Sequence, residues 1–96
     1  MAVKILIKRK VAADKGSQLK ELVMQLRSLS MKQPGYVSGE SLRNVDRQNE
    51  YLVISTWDSL SAWKDWQSSK ERAKIQGQID TLLGQRTEYE VYEYRP

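Results

Sequence analysis

Residues 50–69 read EYLVISTWDSLSAWKDWQSS, and the reading of the fold turns on them. The first eight residues alternate as a strand does. Tyr51, Val53, Ser55 and Trp57 fall on one face, and Leu52, Ile54 and Thr56 on the other. Asp58 or Ser59 then serves as the N-cap of a short helix. That helix carries Leu60, Trp63 and Gln67 on one face, with Ala62 and Trp66 beside it. QSSKER, residues 67–72, breaks the helix and supplies a second cap. A further helix places Ile75, Ile79, Leu82 and Leu83 on its inner face, and Gly84 is suited to its C-terminal cap.

Upstream, Val3, Ile5, Ile7 and Val11 share one strand face, with Lys4, Lys8 and Lys10 opposite and Leu6 interrupting the polar side. Leu19, Leu22, Val23, Leu26 and Leu29 form a helical stripe, with Asp14 as a candidate N-cap and Pro34-Gly35 as the closing turn. YVSGESLRNV (36–45) reads as a second strand, followed by the polar turn DRQN (46–49). RTEYEVYEYRP (86–96) alternates as a last strand. The order is β-α-β-β-α-β. It predicts an α+β, ferredoxin-like fold with helices on one face of a four-stranded antiparallel sheet. No repeat or linker interrupts the 96 residues, which read as a single domain, 1–96.

Composition narrows the chemistry. Cysteine and histidine are both absent, which excludes thiolate nucleophiles, His-based triads, imidazole metal sites and an axial histidine to haem iron. No Asp/Glu cluster suggests a metal, and no carboxylate pair stands out as an acid/base dyad. The formal charge is +4, with a basic cluster at Lys8-Arg9-Lys10. The cluster reads as the solvated face and end of a strand. With no groove-entering motif and an acidic EYEVYEY near the C-terminus, no nucleic acid partner is expected. The N-terminal apolar run is short and broken by lysine, so neither a signal peptide nor a membrane partner is expected. The expected location is cytoplasmic.

Two helices cover one sheet face only, yet YLVISTW is apolar on both faces. A sheet with two apolar faces needs cover on both. The expected cover is a second copy, giving a homodimer by sheet-on-sheet packing. The alternative is that outward tyrosines are simply amphipathic.

KQPGYVSGESLRNV (32–45), EYLVISTWDSLSAWKDWQSS (50–69) and the element order together resemble the antibiotic biosynthesis monooxygenase family of dimeric α+β barrel proteins. The most specific part is a strand ending in Trp57, a cap at Ser59, an aromatic at Trp63 and a serine at Ser69. The resemblance implies a pocket between helices and sheet in each subunit. It further implies cofactor-independent oxygenation of a quinol- or anthrone-like substrate, with no cofactor and no metal. Position 66, often histidine in such proteins, is Trp66, as in the haem-degrading members. The haem-ligating histidine of those members falls near Gln76, a poor ligand for iron, so haem degradation is not the favoured reading.

On this reading a small aromatic ligand would meet Trp66, Trp57, Gln76, Tyr36 and Arg72. Trp66 is the pocket wall, Trp63 is core, and Trp57 fits either role. Tyr36 reads first as a strand-edge residue and Arg72 first as solvated helix, each with the pocket as alternative. Asn44 shapes the turn before DRQN. No catalytic residue is assigned. The fold also hosts proteins without catalysis, so the competing function is a non-catalytic small-ligand-binding or regulatory dimeric module.

Overall fold

A computed structural model describes all residues from Met1 to Pro96. The strands are β1 (Val3–Lys10), β2 (Tyr36–Arg43), β3 (Glu50–Trp57) and β4 (Glu88–Glu93). The helices are α1 (Gly16–Ser30), α2 (Leu60–Gln67) and α3 (Lys70–Leu83). The sheet order is β2-β3-β1-β4, with every neighbouring pair antiparallel. Each helical crossover therefore joins two strands separated by one intervening strand, which is the ferredoxin-like topology. The second crossover is divided into α2 and α3, so the helices number three.

The element ends follow local chemistry. Ser59 Oγ accepts from Ala62 N at 3.1 Å and Ser69 Oγ from Arg72 N at 3.1 Å, so each satisfies an orphan donor at a helix start. Gly84 closes α3 in the left-handed conformation, φ 69°. Asp14 does not cap α1. It lies in a 3-10 turn, Ala13–Lys15, and the capping position, Lys15, makes no side-chain cap bond. Gly35 has φ 88°, and a Cβ there would meet Ala62 Cβ at 2.5 Å and Asp58 Oδ1 at 2.6 Å. Only glycine lets the β2 turn sit against the start of α2. Its carbonyl also accepts from Asp58 N at 2.8 Å.

The three helices pack on one sheet face. Val3, Ile5 and Ile7 of β1 join Trp57, Trp63 and Trp66 in one buried cluster, with Leu26 and Leu29 of α1 against it. A second cluster joins Val11 and Leu19 to Ile75 and Ile79 of α3. Trp57 is the hub of the first. Its ring meets Tyr36 edge-on at 5.4 Å and Trp63 at 6.0 Å, and stacks on Trp66 at 6.5 Å and 23°. Such pairs add roughly 0.5–1.5 kcal/mol each beyond burial. Its indole N–H donates to Ser55 Oγ at 2.8 Å, so the buried polar atom is satisfied. Leu60 is 42% exposed and Gln67 is also exposed, so α2 is rotated from the face read in the sequence and buries Trp63 and Trp66 together.

The other sheet face carries Leu6, Leu52 and Ile54, half-buried, with Leu42 and Tyr92 about half exposed. Lys4, Lys8, Glu40, Glu88 and Glu90 surround them. No element of the chain covers this face. No helix is long and apolar enough to cross a membrane.

Candidate active site

The strand period brings a charge inside. Val3, Ile5 and Ile7 face the helices, and the next residue in phase is Arg9. Lys8 and Lys10 face solvent as read, but Arg9 does not belong with them: it is 5% exposed. Its Nη2 donates to Gln76 Oε1 at 3.4 Å, while its buried Nε has no partner. Gln76 is held in turn, since its Nε2 donates to Asp80 Oδ1 and Thr87 Oγ1, both at 2.9 Å. Burial lowers the Arg9 pKa; the nearby charge of Arg72 adds to this, and Asp80 and Tyr89 oppose it.

Arg72 is the second buried guanidinium, 7% exposed. Nη1 donates to Gln67 O at 3.2 Å, and Nη2 donates to the Tyr89 hydroxyl. The guanidinium lies 5.7 Å from the Trp63 ring and 5.2 Å from the Tyr89 ring, within cation–π range. Tyr89, in β4 opposite Ile7, thus turns inward toward the helices. Burial raises its pKa above the ordinary value of 10.0, against the opposing pull of Arg72 and Arg9. The hydroxyl is therefore neutral at neutral pH. The unfolded chain ionises first, so this group's contribution to stability is intact below the unfolded value and falls as pH rises from there through the folded value. In a spectrophotometric titration of the five tyrosines, one phenol is expected to ionise late. Tyr89→Phe should remove that late step, and a late step that persists would place it on another tyrosine.

These groups converge on a cavity of about 50 Å³ between the helices and the inner sheet face. Trp63, Trp66, Arg72, Tyr89, Arg9 and Tyr36 are on its walls. Gly39 makes room there: a Cβ would approach the Tyr36 hydroxyl at 2.7 Å and Arg27 Nη2 at 3.1 Å. With liquid water occupying about 30 Å³ per molecule, this space takes one or two waters and no ring. Beside it, between α1 and strands β2 and β3, lies a groove of about 580 Å³. The two share Arg9, Val23, Arg27, Ser41 and Val53 as lining, so they form one cleft with a narrow inner end. The groove is within the size of small-molecule sites, about 300–1,000 Å³.

The five sequence candidates separate here. Trp66, Tyr36 and Arg72 reach the cavity. Trp57 is fully buried beneath Trp66 and lies outside the lining, as does Gln76, which stands behind Arg9. Trp63 reaches the wall as well as the core. Arg9, Arg27 and Tyr89 were not among the candidates; for Arg9 the period-two phase with Ile7 was the available signal. Asn44 shapes its turn, as Oδ1 accepts from Asp46 N and Arg47 N at 2.9 Å. No group of three or more Asp or Glu side chains is gathered anywhere.

Known proteins share this architecture. A conserved protein of Methanosarcina mazei Go1 superimposes with a TM-score of 0.91 at 16% identity, covering 99% of this chain and 94% of that one. SnoaB of Streptomyces nogalater, a cofactor-independent oxygenase, does so with a TM-score of 0.88 at 18% identity over 99% and 94%. Rv0793 of Mycobacterium tuberculosis gives 0.88 at 17% identity over 100% and 97%. At such identities the likeness is one of fold. No curated protein matches the chain. The model of the family described as antibiotic biosynthesis monooxygenase matches residues 2–78. That span takes in β1 through most of α3, including Arg9, the three tryptophans and Arg72, and the chain belongs to this family.

Proposed function

We propose that the chain is a cofactor-independent monooxygenase acting on a quinol- or anthrone-like aromatic substrate held in the cleft between α1 and the sheet. The observation that carries this reading is the cleft's lining: apolar and aromatic walls with Arg9 and Arg72 buried among them and no carboxylate. Such a lining favours the anionic form of a bound phenol or enol. The electron-rich anion supplies the electrons that reduce oxygen. An anthrone methylene gains an O–O group at carbon, and loss of water leaves a carbonyl, so one oxygen atom enters the product and the other leaves as water. The side chains' share is to bind the ring, exclude bulk water and stabilise the anion. Tyr89, kept neutral by burial, acts as a hydrogen-bond donor rather than a base. The proton released from the substrate goes to solvent. The test is oxygen uptake with an anthrone and a quinol. Tyr51→Ala, in the groove wall, is expected to lower kcat/KM about tenfold or more through lost ring contact, with exposed Gln78→Ala unchanged. No uptake with any such compound would sink the proposal.

One observation favours the second reading, a non-catalytic ligand-binding module: no cavity-wall side chain is an Asp or Glu able to act as a base. Saturable binding without oxygen uptake would establish it.

The working unit on either reading is a homodimer joined through the outer sheet face. Leu6 and Ile54 are paired at its centre, and charges of both signs flank them, which suits a self-complementary contact. Ile54→Arg would bury like charges against each other across such a contact. In sedimentation, the wild type is expected at twice 11.2 kDa and the variant at one chain's mass. A monomeric wild type would refute the arrangement.

A further inference from the structure

We propose that the ligand of this cleft carries a permanent negative charge, a carboxylate on an apolar ring system, and that Arg9 with Arg27 holds that carboxylate. The proposal rests on the cleft being the ligand site and sharpens what the ligand is.

The cations of the cleft make no salt bridge. Cavity and groove together are lined by Arg9, Lys20, Arg27, Arg43 and Arg72, with no Asp or Glu. The chain's salt bridges lie elsewhere, at Lys8–Glu90, Arg47–Glu50 and Arg95–Glu93, all on the surface. Arg72 spends its hydrogen bonds on Gln67 O and Tyr89, and stacks on aromatic rings. Arg9 is different. Its one side-chain partner is neutral and at 3.4 Å, and its Nε is buried with no partner. Gln76 cannot turn toward it for a closer contact without releasing Asp80 and Thr87. A buried guanidinium left in this state is unfavourable unless a ligand completes it.

The chemistry of that ligand follows from its surroundings. Arg9 and Arg27 both line the inner cavity and the groove, so a group bound between them lies at their junction. Guanidinium is a planar fork matched to a planar carboxylate. The rest of the groove offers Leu19, Val23, Met24, Leu52 and Val53, a surface for a hydrocarbon body. A neutral quinol would satisfy the apolar wall and leave Arg9 uncompensated. An inorganic anion would satisfy Arg9 and leave the apolar wall empty.

Calorimetric titration of the full chain with 1-hydroxy-2-naphthoate, 1-naphthol and inorganic phosphate separates these cases. The carboxylate is expected to bind about 10- to 100-fold more tightly than 1-naphthol, the increment of a charge-assisted hydrogen bond. That preference should shrink with added salt. Arg9→Met should reduce it to near unity. Arg27→Gln, at a half-buried position, should reduce it several-fold and provides the test if the Arg9 variant fails to fold. Equal binding of the two naphthalenes, binding of neither, phosphate binding as tight as the naphthoate, or a preference that survives both variants would each overturn the inference. Oxygen uptake separates the two proposals. Uptake on neutral anthrones with no carboxylate preference leaves the oxygenase reading and removes this one, whereas a carboxylate preference without uptake does the reverse.

Discussion

Replacing Trp57 by alanine is expected to lower the free energy of unfolding by about 3–5 kcal/mol, the range for emptying a large aromatic site in a core. The side chain is fully buried and packs on Tyr36, Trp63 and Trp66, so no neighbour can fill the space without leaving its own contacts. It also closes the end of β3 against Val3 of β1 and Tyr36 of β2, where the sheet's two central strands meet its edge. Domains of this size are stable by about 5–15 kcal/mol. The variant should therefore unfold in much lower urea than the wild type. Trp57→Phe, which keeps one ring for Tyr36 and Trp66 to pack on, should lose distinctly less. Both are to be read at one protomer concentration, since association with a second copy would add to apparent stability. A loss below about 1 kcal/mol for the alanine variant would show that the tryptophan cluster is not the centre of the core.

The element order was legible because its signals are local. Alternation in 50–57, the serines at 59 and 69 and the glycine at 84 each act within a turn or a strand, and the structure uses Ser59, Ser69 and Gly84 as caps. The site was less legible because it is assembled from α1, α2, α3 and all four strands. Charge misled the reading of β1. Lys8, Arg9 and Lys10 look like one basic cluster, yet neighbours on a strand face opposite ways, and Arg9 stays in phase with Ile7. Tyr89 is likewise turned inward by strand parity, opposite Ile7, within a run whose other tyrosines are exposed. In α2, the apolar Leu60 was given a buried place that geometry grants to Trp66. A short helix with two tryptophans three residues apart buries the larger pair and leaves the leucine out.

Arg9→Met is expected to make the ligand-free protein more stable, by about 1–4 kcal/mol, as when well-packed apolar side chains replace buried ionic groups. Methionine follows the same path through the core as the arginine stem and brings no charge to desolvate. The amide oxygen of Gln76 loses only a 3.4 Å contact, so little is forfeited there. The sign of the linkage agrees. Burial depresses the folded-state pKa of Arg9 below its ordinary value, so the folded chain holds this proton less tightly than the unfolded chain does. The resulting penalty is present in full at any pH below the folded value, and it is relieved only as pH rises through that value toward the unfolded one. Around neutrality the gain from methionine should therefore not vary with pH, which a comparison of urea midpoints at two such pH values would check. A variant less stable than the wild type would show that Arg9 is already compensated within the fold. An anionic ligand should shift the balance toward the wild type, and reverse the order where the ligand-free gain is below about 2 kcal/mol, because ligand at a hundred times its Kd adds about 2.7 kcal/mol to the wild type and less to a variant that binds it more weakly. The residue that weakens the empty protein is then the one that the ligand makes favourable, and a crossing of the two stabilities on adding 1-hydroxy-2-naphthoate would tie Arg9 to binding rather than to folding.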